Sequence, residues 1–308
     1  LWGNPVYNWD QLQKTNFDWW IQRFQTTLQY VDVVRVDHFR GFQAYWEVPA
    51  GEETAINGEW IEAPGEAFFE TLNSRLGRLP ILAEDLGIIT PEVEVLRDRF
   101  DFPGMRILMF AFSGDASNPY LPHHYIQNTI VYPGTHDNNT AIGWWTVASD
   151  HEKAFLAKYL GYDSPSEISY INWVMIRMAM SSVATWSIVA LQDILGLDDR
   201  TRMNDPSQNA GNWRWRYSSY DLLSDQLSQK LRELTHLYSR SVEMSEYCSI
   251  SLRLCSSCSV RVKIFQQSLL KLGTGLIQSS TFRTYTNLNL SRLDHPLFRN
   301  CIYMLSGK

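Results

Sequence analysis

Five short apolar runs, each closed by polar or charged residues and separated by stretches of helical spacing, constrain this chain more than any other feature. They span residues 30–37, 79–87, 105–112, 129–132 and 187–191. Runs this short and rich in branched residues read as buried strands. Between them, helical periodicity predicts helices over 9–29, 64–77, a short one opened by Thr90-Pro91-Glu92, 151–160, 166–184 and 219–240. In the first of these, Trp19, Trp20 and Phe24 fall on or near one face. Residues 42–63 carry Gly, Pro and several acids among aromatics and read as a long functional loop. Strand, polar tip and helix in repetition imply an α/β fold with a parallel sheet covered by helices. A (β/α) barrel fits, and so does a doubly wound sheet. No G-x-G-x-x-G follows a strand and no P-loop is present, so nucleotide binding has no support.

The 308 residues suffice for one large domain or two small ones. A net charge of −6 argues against nucleic acid as the main partner. No apolar run is long enough to span a bilayer. Twelve Trp and fifteen Tyr are a rich supply of flat rings; many belong to the core, and exposed ones suit sugar rings. Beyond residue 241 the character changes. Residues 242–308 hold eight Lys or Arg against three Asp or Glu, in a chain that is acidic as a whole. All four cysteines (Cys248, Cys255, Cys258 and Cys301) lie there, and they read as incidental thiols. A main body without cysteine points to a reducing compartment. The expected division is therefore 1–241, the enzyme-like part, and 242–308, a tail that is shifted in frame or poorly ordered.

Three acids stand at predicted strand ends: Asp37, Glu84 and Asp137. On a strand, Arg35 shares a face with Asp37, and a guanidinium beside a carboxylate favours the charged form a nucleophile needs. Glu84 has Asp85 beside it and a partly apolar setting, which raises a carboxyl toward the range of a general acid. His136 and Asp137 follow Gly134 and can aim two polar groups at a ligand. Taken singly, each acid also fits a structural role, as a strand-end ion pair or a loop cap. The His-Asp pair also raises metal or triad chemistry, but neither G-x-S-x-G nor H-x-x-x-H accompanies it.

Together these segments resemble a known family. Val34-Arg35-Val36-Asp37-His38-Phe39-Arg40-Gly41, Ala83-Glu84-Asp85-Leu86-Gly87 and Gly134-Thr135-His136-Asp137-Asn138-Asn139-Thr140 look like signatures of the 4-α-glucanotransferases, or amylomaltases. Leu1-Trp2-Gly3-Asn4-Pro5-Val6-Tyr7, Arg202-Met203-Asn204 and Gly211-Asn212-Trp213-Arg214-Trp215-Arg216 resemble them too, in order, over residues 1 to about 240. The resemblance implies part of a TIM (β/α)8 barrel, its C-terminal strands with helical insertions, and a missing N-terminal region that carries the first barrel strands. It implies a hexosyltransferase that moves α-1,4-glucan segments between maltooligosaccharides by a retaining double displacement, without cofactor or metal. The implied roles are Asp37 as nucleophile, Glu84 as acid/base and Asp137 as the third acid. Arg35, His38 and His136 become sugar contacts, Trp2 an acceptor-side stacking residue and Asn204 a substrate-side amide. The implied location is the cytoplasm or the plastid stroma, away from membranes. Two positions depart from the family: Asn139 stands where Asp is usual, and Ser207 where Gly follows the Pro. Two other readings remain: a related α-amylase-type hydrolase, and an inactive glucan-binding fragment.

Overall fold

The computed structural model describes residues 4–240 and two short strands at 262–265 and 302–306. Its elements in chain order are α1 (Trp9–Lys14), α2 (Asp18–Leu28), β1 (Val33–Asp37), β2 (Ala44–Glu47), β3 (Glu59–Glu62), α3 (Gly65–Leu76), β4 (Ile81–Ala83), α4 (Pro91–Arg99), β5 (Gly104–Ile107), β6 (Thr129–Tyr132), α5 (Ala141–Val147), α6 (Asp150–Tyr159), α7 (Ile171–Ser181), β7 (Trp186–Ala190), α8 (Leu191–Leu195), α9 (Asp225–Leu237), β8 (Val262–Phe265) and β9 (Ile302–Ser306). The expected division at residue 241 falls at the edge of the described residues, and most of 242–308 lies outside them. No helix among the described residues is long and apolar enough to cross a membrane.

All five predicted strands form, some shorter than expected. The fold is α/β, with β1 parallel to β4 and β9, and β7 parallel to β8. The sheets run β4-β1-β9 and β5-β6-β7-β8, with β2 and β3 as a separate antiparallel pair. Two compact units are distinguishable. One comprises Leu1–Arg106, Ile126–Ile130 and Asn300–Lys308; the other comprises Ile107–Tyr125 and Val131–Arg299.

Three expectations need correction. The helix predicted over 9–29 is two helices. Asn16 and Phe17 adopt left-handed backbone, at φ 51° and 56°, and this break turns the Phe17 ring into the core. Trp20 and Phe24 are fully buried, but Trp19 is half exposed with Arg23 over its ring. One helical step of about 100° carries a residue off the buried face. The loop read over 42–63 contains the β2–β3 hairpin, where Trp46 and Trp60 face each other across the strands. The strand expected over 105–112 ends at Ile107 and continues as a 3₁₀ turn.

The core of the first unit is aromatic. Phe68 of α3 stacks on Phe42 with centroids 5.0 Å apart and meets Phe17, Trp20 and Phe69 edge-on at 5.2, 5.4 and 4.9 Å. Gly65 lets α3 start against this cluster, because a Cβ there would lie 2.1 Å from the Phe42 carbonyl oxygen. Aromatic pairs in these geometries add to the area they bury. Replacing Phe68 with Ala empties a fully enclosed site and is expected to cost about 3–5 kcal/mol. A urea titration followed by circular dichroism reads this as a lower midpoint with an unchanged slope.

Candidate active site

β1 and β4 end side by side, and their register decides what meets there. Val34, Arg35 and Val36 pair with Ile81, Leu82 and Ala83. One more step sets Asp37 beside Glu84. The backbone confirms the step: Glu84 N–H donates to the Val36 carbonyl at 2.9 Å, and Phe39 N–H to the Glu84 carbonyl at 3.0 Å. Because the strands are parallel, both acids stand at C-terminal strand ends.

Arg35 and Asp37 share a face as expected, with Nη2 3.0 Å from Oδ1. Arg35 is buried, and its Nε also donates to the Met105 sulfur at 3.3 Å. After Asp37 the chain turns sharply. His38 takes a left-handed conformation at φ 51°, and its backbone N–H donates to Glu84 Oε2 at 2.6 Å. Leu86 N–H donates to Oε1 at 2.9 Å. Those two donors and Arg35 favour the charged carboxylate, while burial and the Asp37 charge oppose it. Burial is the largest effect, and the Glu84 pKa is pushed up to about 7.

The acid that helps raise Glu84 is Asp37, not Asp85 as the sequence suggested. Asp85 turns away, as period-two alternation requires. Its carboxylate is fully enclosed and takes hydrogen bonds from Met105 N–H at 2.6 Å, Arg97 at 2.5 Å and Arg106 at 3.3 Å. Gly104 makes room for it: a Cβ there would lie 2.5 Å from Oδ2. Asp85 thus fastens the segment carrying Glu84 to β5 and α4.

The second unit carries the other group of expected residues. After β6, Asn138 Oδ1 accepts from both the N–H and the hydroxyl of Thr135 at 2.8 Å, closing a tight turn around Asp137. Asp137 Oδ1 accepts from Asn204 Nδ2 at 2.6 Å and lies 3.2 Å from His136 Nε2. Arg202 donates to the Asp137 carbonyl at 2.7 Å, and Asn204 N–H to the His136 carbonyl at 3.0 Å. The Trp213 ring lies 5.2 Å from the His136 ring. Arg202 and Trp213 stand in the quoted motifs, but motif membership alone gave them no role. Asp193, just after β7, is a residue the sequence reading missed. It is buried, accepts from Ala141 N–H at 2.7 Å, and burial pushes its pKa up to about 7.

The structure therefore brings Arg35, Asp37, His38 and Glu84 together in one unit, and His136, Asp137 and Asn204 together in the other. Trp2 lies outside the described residues. The two departures from the family pattern are accommodated locally. Asn139 accepts from Thr140 N–H at 2.8 Å, and Ser207 donates through both N–H and hydroxyl to Asp205. Among the described residues, no group of three or more His, Cys, Asp or Glu is placed to hold a metal ion.

A family model described as 4-alpha-glucanotransferase matches residues 1–223. A 4-alpha-glucanotransferase of Synechocystis is 54% identical over 244 residues, covering 79% of this chain and 48% of that protein. The rice 4-alpha-glucanotransferase DPE1, named as chloroplastic/amyloplastic, is 46% identical over 243 residues, covering 78% and 40%. The solved amylomaltase of Streptococcus agalactiae, in complex with acarbose, superposes with a TM-score of 0.72 at 39% identity, covering 78% of this chain and 48% of that one. The chain spans about half the length of the curated relatives it matches.

The raised Glu84 pKa has a consequence for stability. The folded chain binds this proton more tightly than the unfolded chain, whose glutamate has a pKa of 4.5. The stabilisation is full below about pH 4.5 and is lost as pH rises through about 7. The loss amounts to about 3 kcal/mol. Asp193 adds a loss of the same sign, so the informative quantity is the difference between wild type and Glu84→Gln. Denaturation measured from pH 4 to pH 8 is expected to show a smaller decline in the variant, by about that amount. Parallel curves would refute the burial of this carboxyl.

Proposed function

The chain belongs to the 4-alpha-glucanotransferase family, and from that premise we propose that it transfers α-1,4-glucan segments to glucose or glucan acceptors by a retaining double displacement. The observation that carries the proposal is the pairing at the ends of β1 and β4. There Asp37 is ion-paired to Arg35, and the adjacent Glu84 has its pKa raised to about 7. Retaining chemistry asks for this asymmetry: one carboxylate to attack and one carboxylic acid to protonate, close together.

Asp37 attacks the anomeric carbon while Glu84 gives its proton to the departing glycosidic oxygen. This leaves a glucosyl ester on Asp37 and a free chain end. Glu84, now a carboxylate, takes the proton from an acceptor hydroxyl, which displaces Asp37 and restores the α-linkage. Asp137 is proposed as the third acid, which grips sugar hydroxyls and favours the distorted ring. Arg35, His38 and His136 are proposed as sugar contacts, Asn204 as a substrate-side amide and Trp2 as the acceptor platform. No cofactor enters this scheme, because the two carboxyls carry both steps. The strands are read as C-terminal strands of a (β/α)8 barrel, whose sites form from several C-terminal strand ends at once. Residues 242–308 are read as a separate tail. The location read for the chain is the cytoplasm or the plastid stroma.

Incubating the chain with maltotriose tests the reaction class. Transfer yields oligosaccharides longer than the substrate, whereas hydrolysis yields only shorter ones. Asp37→Asn is expected to lower product formation by at least about 10³-fold, and Glu84→Gln by about 10²–10⁴-fold. Since Glu84 must be protonated for the first step, kcat/KM is expected to fall as pH rises above about 7. Shorter products alone would favour an α-amylase-type hydrolase. Absence of turnover in the wild-type chain would leave glucan binding as its role and contradict the proposal.

A further inference from the structure

Between α7 and α9, on the second unit, lies a cavity of about 290 Å³ that plays no part in the chemistry above. Its wall carries three aromatic side chains, Tyr162, Tyr170 and Trp173, and two cations, Arg177 and Lys230; among the described residues no carboxylate lines it. Tyr170 is held outward by a left-handed backbone at φ 55° and is 78% exposed, on the residue that precedes α7. A non-glycine residue in that conformation is strained, and such strain gathers at ligand clamps.

Each of the two cations meets an uncharged aromatic partner. Lys230 places its ammonium 3.8 Å from the centre of the Trp173 ring. Arg177 donates to the Tyr238 hydroxyl at 2.9 Å and lies over the Tyr238 ring. Both partners are neutral. Burial, and then the Arg177 charge, lower the Lys230 pKa, so the two cations lie close enough to repel. An anion between them would relieve that repulsion, and a neutral sugar would not. The volume admits one six-membered ring with a charged substituent, at the lower end of the range for small-molecule sites.

The geometry points to a binding site for a hexose phosphate, with the phosphate taken by Lys230 and Arg177 and the sugar ring laid on Tyr162 and Tyr170. Guanidinium and ammonium groups are the usual phosphate donors. Aromatic faces suit the apolar side of a pyranose. The lining residues belong to the second unit and the acids at β1 and β4 to the first, and the inference does not depend on the proposed reaction.

Isothermal titration calorimetry on the full chain tests it with three probes: glucose 6-phosphate, inorganic phosphate and maltose. Glucose 6-phosphate is expected to bind most tightly and inorganic phosphate at least 10-fold more weakly. Maltose is expected to show no binding at this site, meaning no signal that Lys230→Met alters. Lys230→Met and Arg177→Met are each expected to weaken the glucose 6-phosphate signal at least 10-fold, and Lys230→Arg to retain it. Circular dichroism that matches wild type identifies a folded variant. Phosphate binding as tight as glucose 6-phosphate would remove the sugar from the proposal. Equal binding by wild type and Lys230→Met, or no binding of glucose 6-phosphate at all, would overturn it.

Discussion

A carboxyl group whose hold on its proton is strengthened by burial, set next to one that is ion-paired, is the interaction around which the candidate site is built. Glu84 receives two backbone hydrogen bonds and lies near Arg35, any of which would stabilise its charge. In water these would lower its pKa. Here removal from solvent outweighs them, and the nearby Asp37 charge adds to the effect, so the balance ends near neutrality. The local fold follows from this requirement. Parallel pairing of β1 with β4 sets the two acids at adjacent strand ends, and the left-handed turn at His38 aims a backbone N–H at Glu84.

A proton balance this close needs a fixed geometry, and Asp85 supplies much of it. One residue from Glu84, it faces the opposite way and spends its charge on Arg97, Arg106 and a backbone N–H. Buried pairs of this kind are weak evidence for stability. The second unit uses the same economy of means. The Asp137 loop is closed by Asn138, tied to Asn204 and Arg202, and followed by α5, whose first N–H is held by the buried Asp193.

Much of this was legible in the sequence because it is local. Residues 30–37 are β-branched and end in an acid, and period-two alternation puts Arg35 with Asp37; the ion pair is there at 3.0 Å. Thr129–Tyr132 was found with its true ends. The features that escaped depend on distant partners or on single backbone angles. Asp85 looked like the neighbour that perturbs Glu84, yet its partners lie 12 to 21 positions away. The break at Phe17 comes from two left-handed residues that no hydrophobic pattern announces. The β2–β3 strands are four residues each and Ala44 alone among those eight is buried, so they lack the apolar run that marks a buried strand. The roles proposed for the site residues came from ordered motifs, and physical reading supplied the reasons those proposals are consistent with the geometry.

Trapping the proposed intermediate tests the proposed division of labour between the two carboxyls most directly. α-Maltosyl fluoride carries a leaving group that needs little help from an acid, so a Glu84→Gln chain can still be loaded while acceptor attack is slowed. Mass spectrometry of the digested protein is predicted to find one maltosyl group, on the peptide that contains Asp37. A maltosyl group on any other carboxylate, or none on a variant that still consumes the fluoride, would contradict the assignment of Asp37 and Glu84.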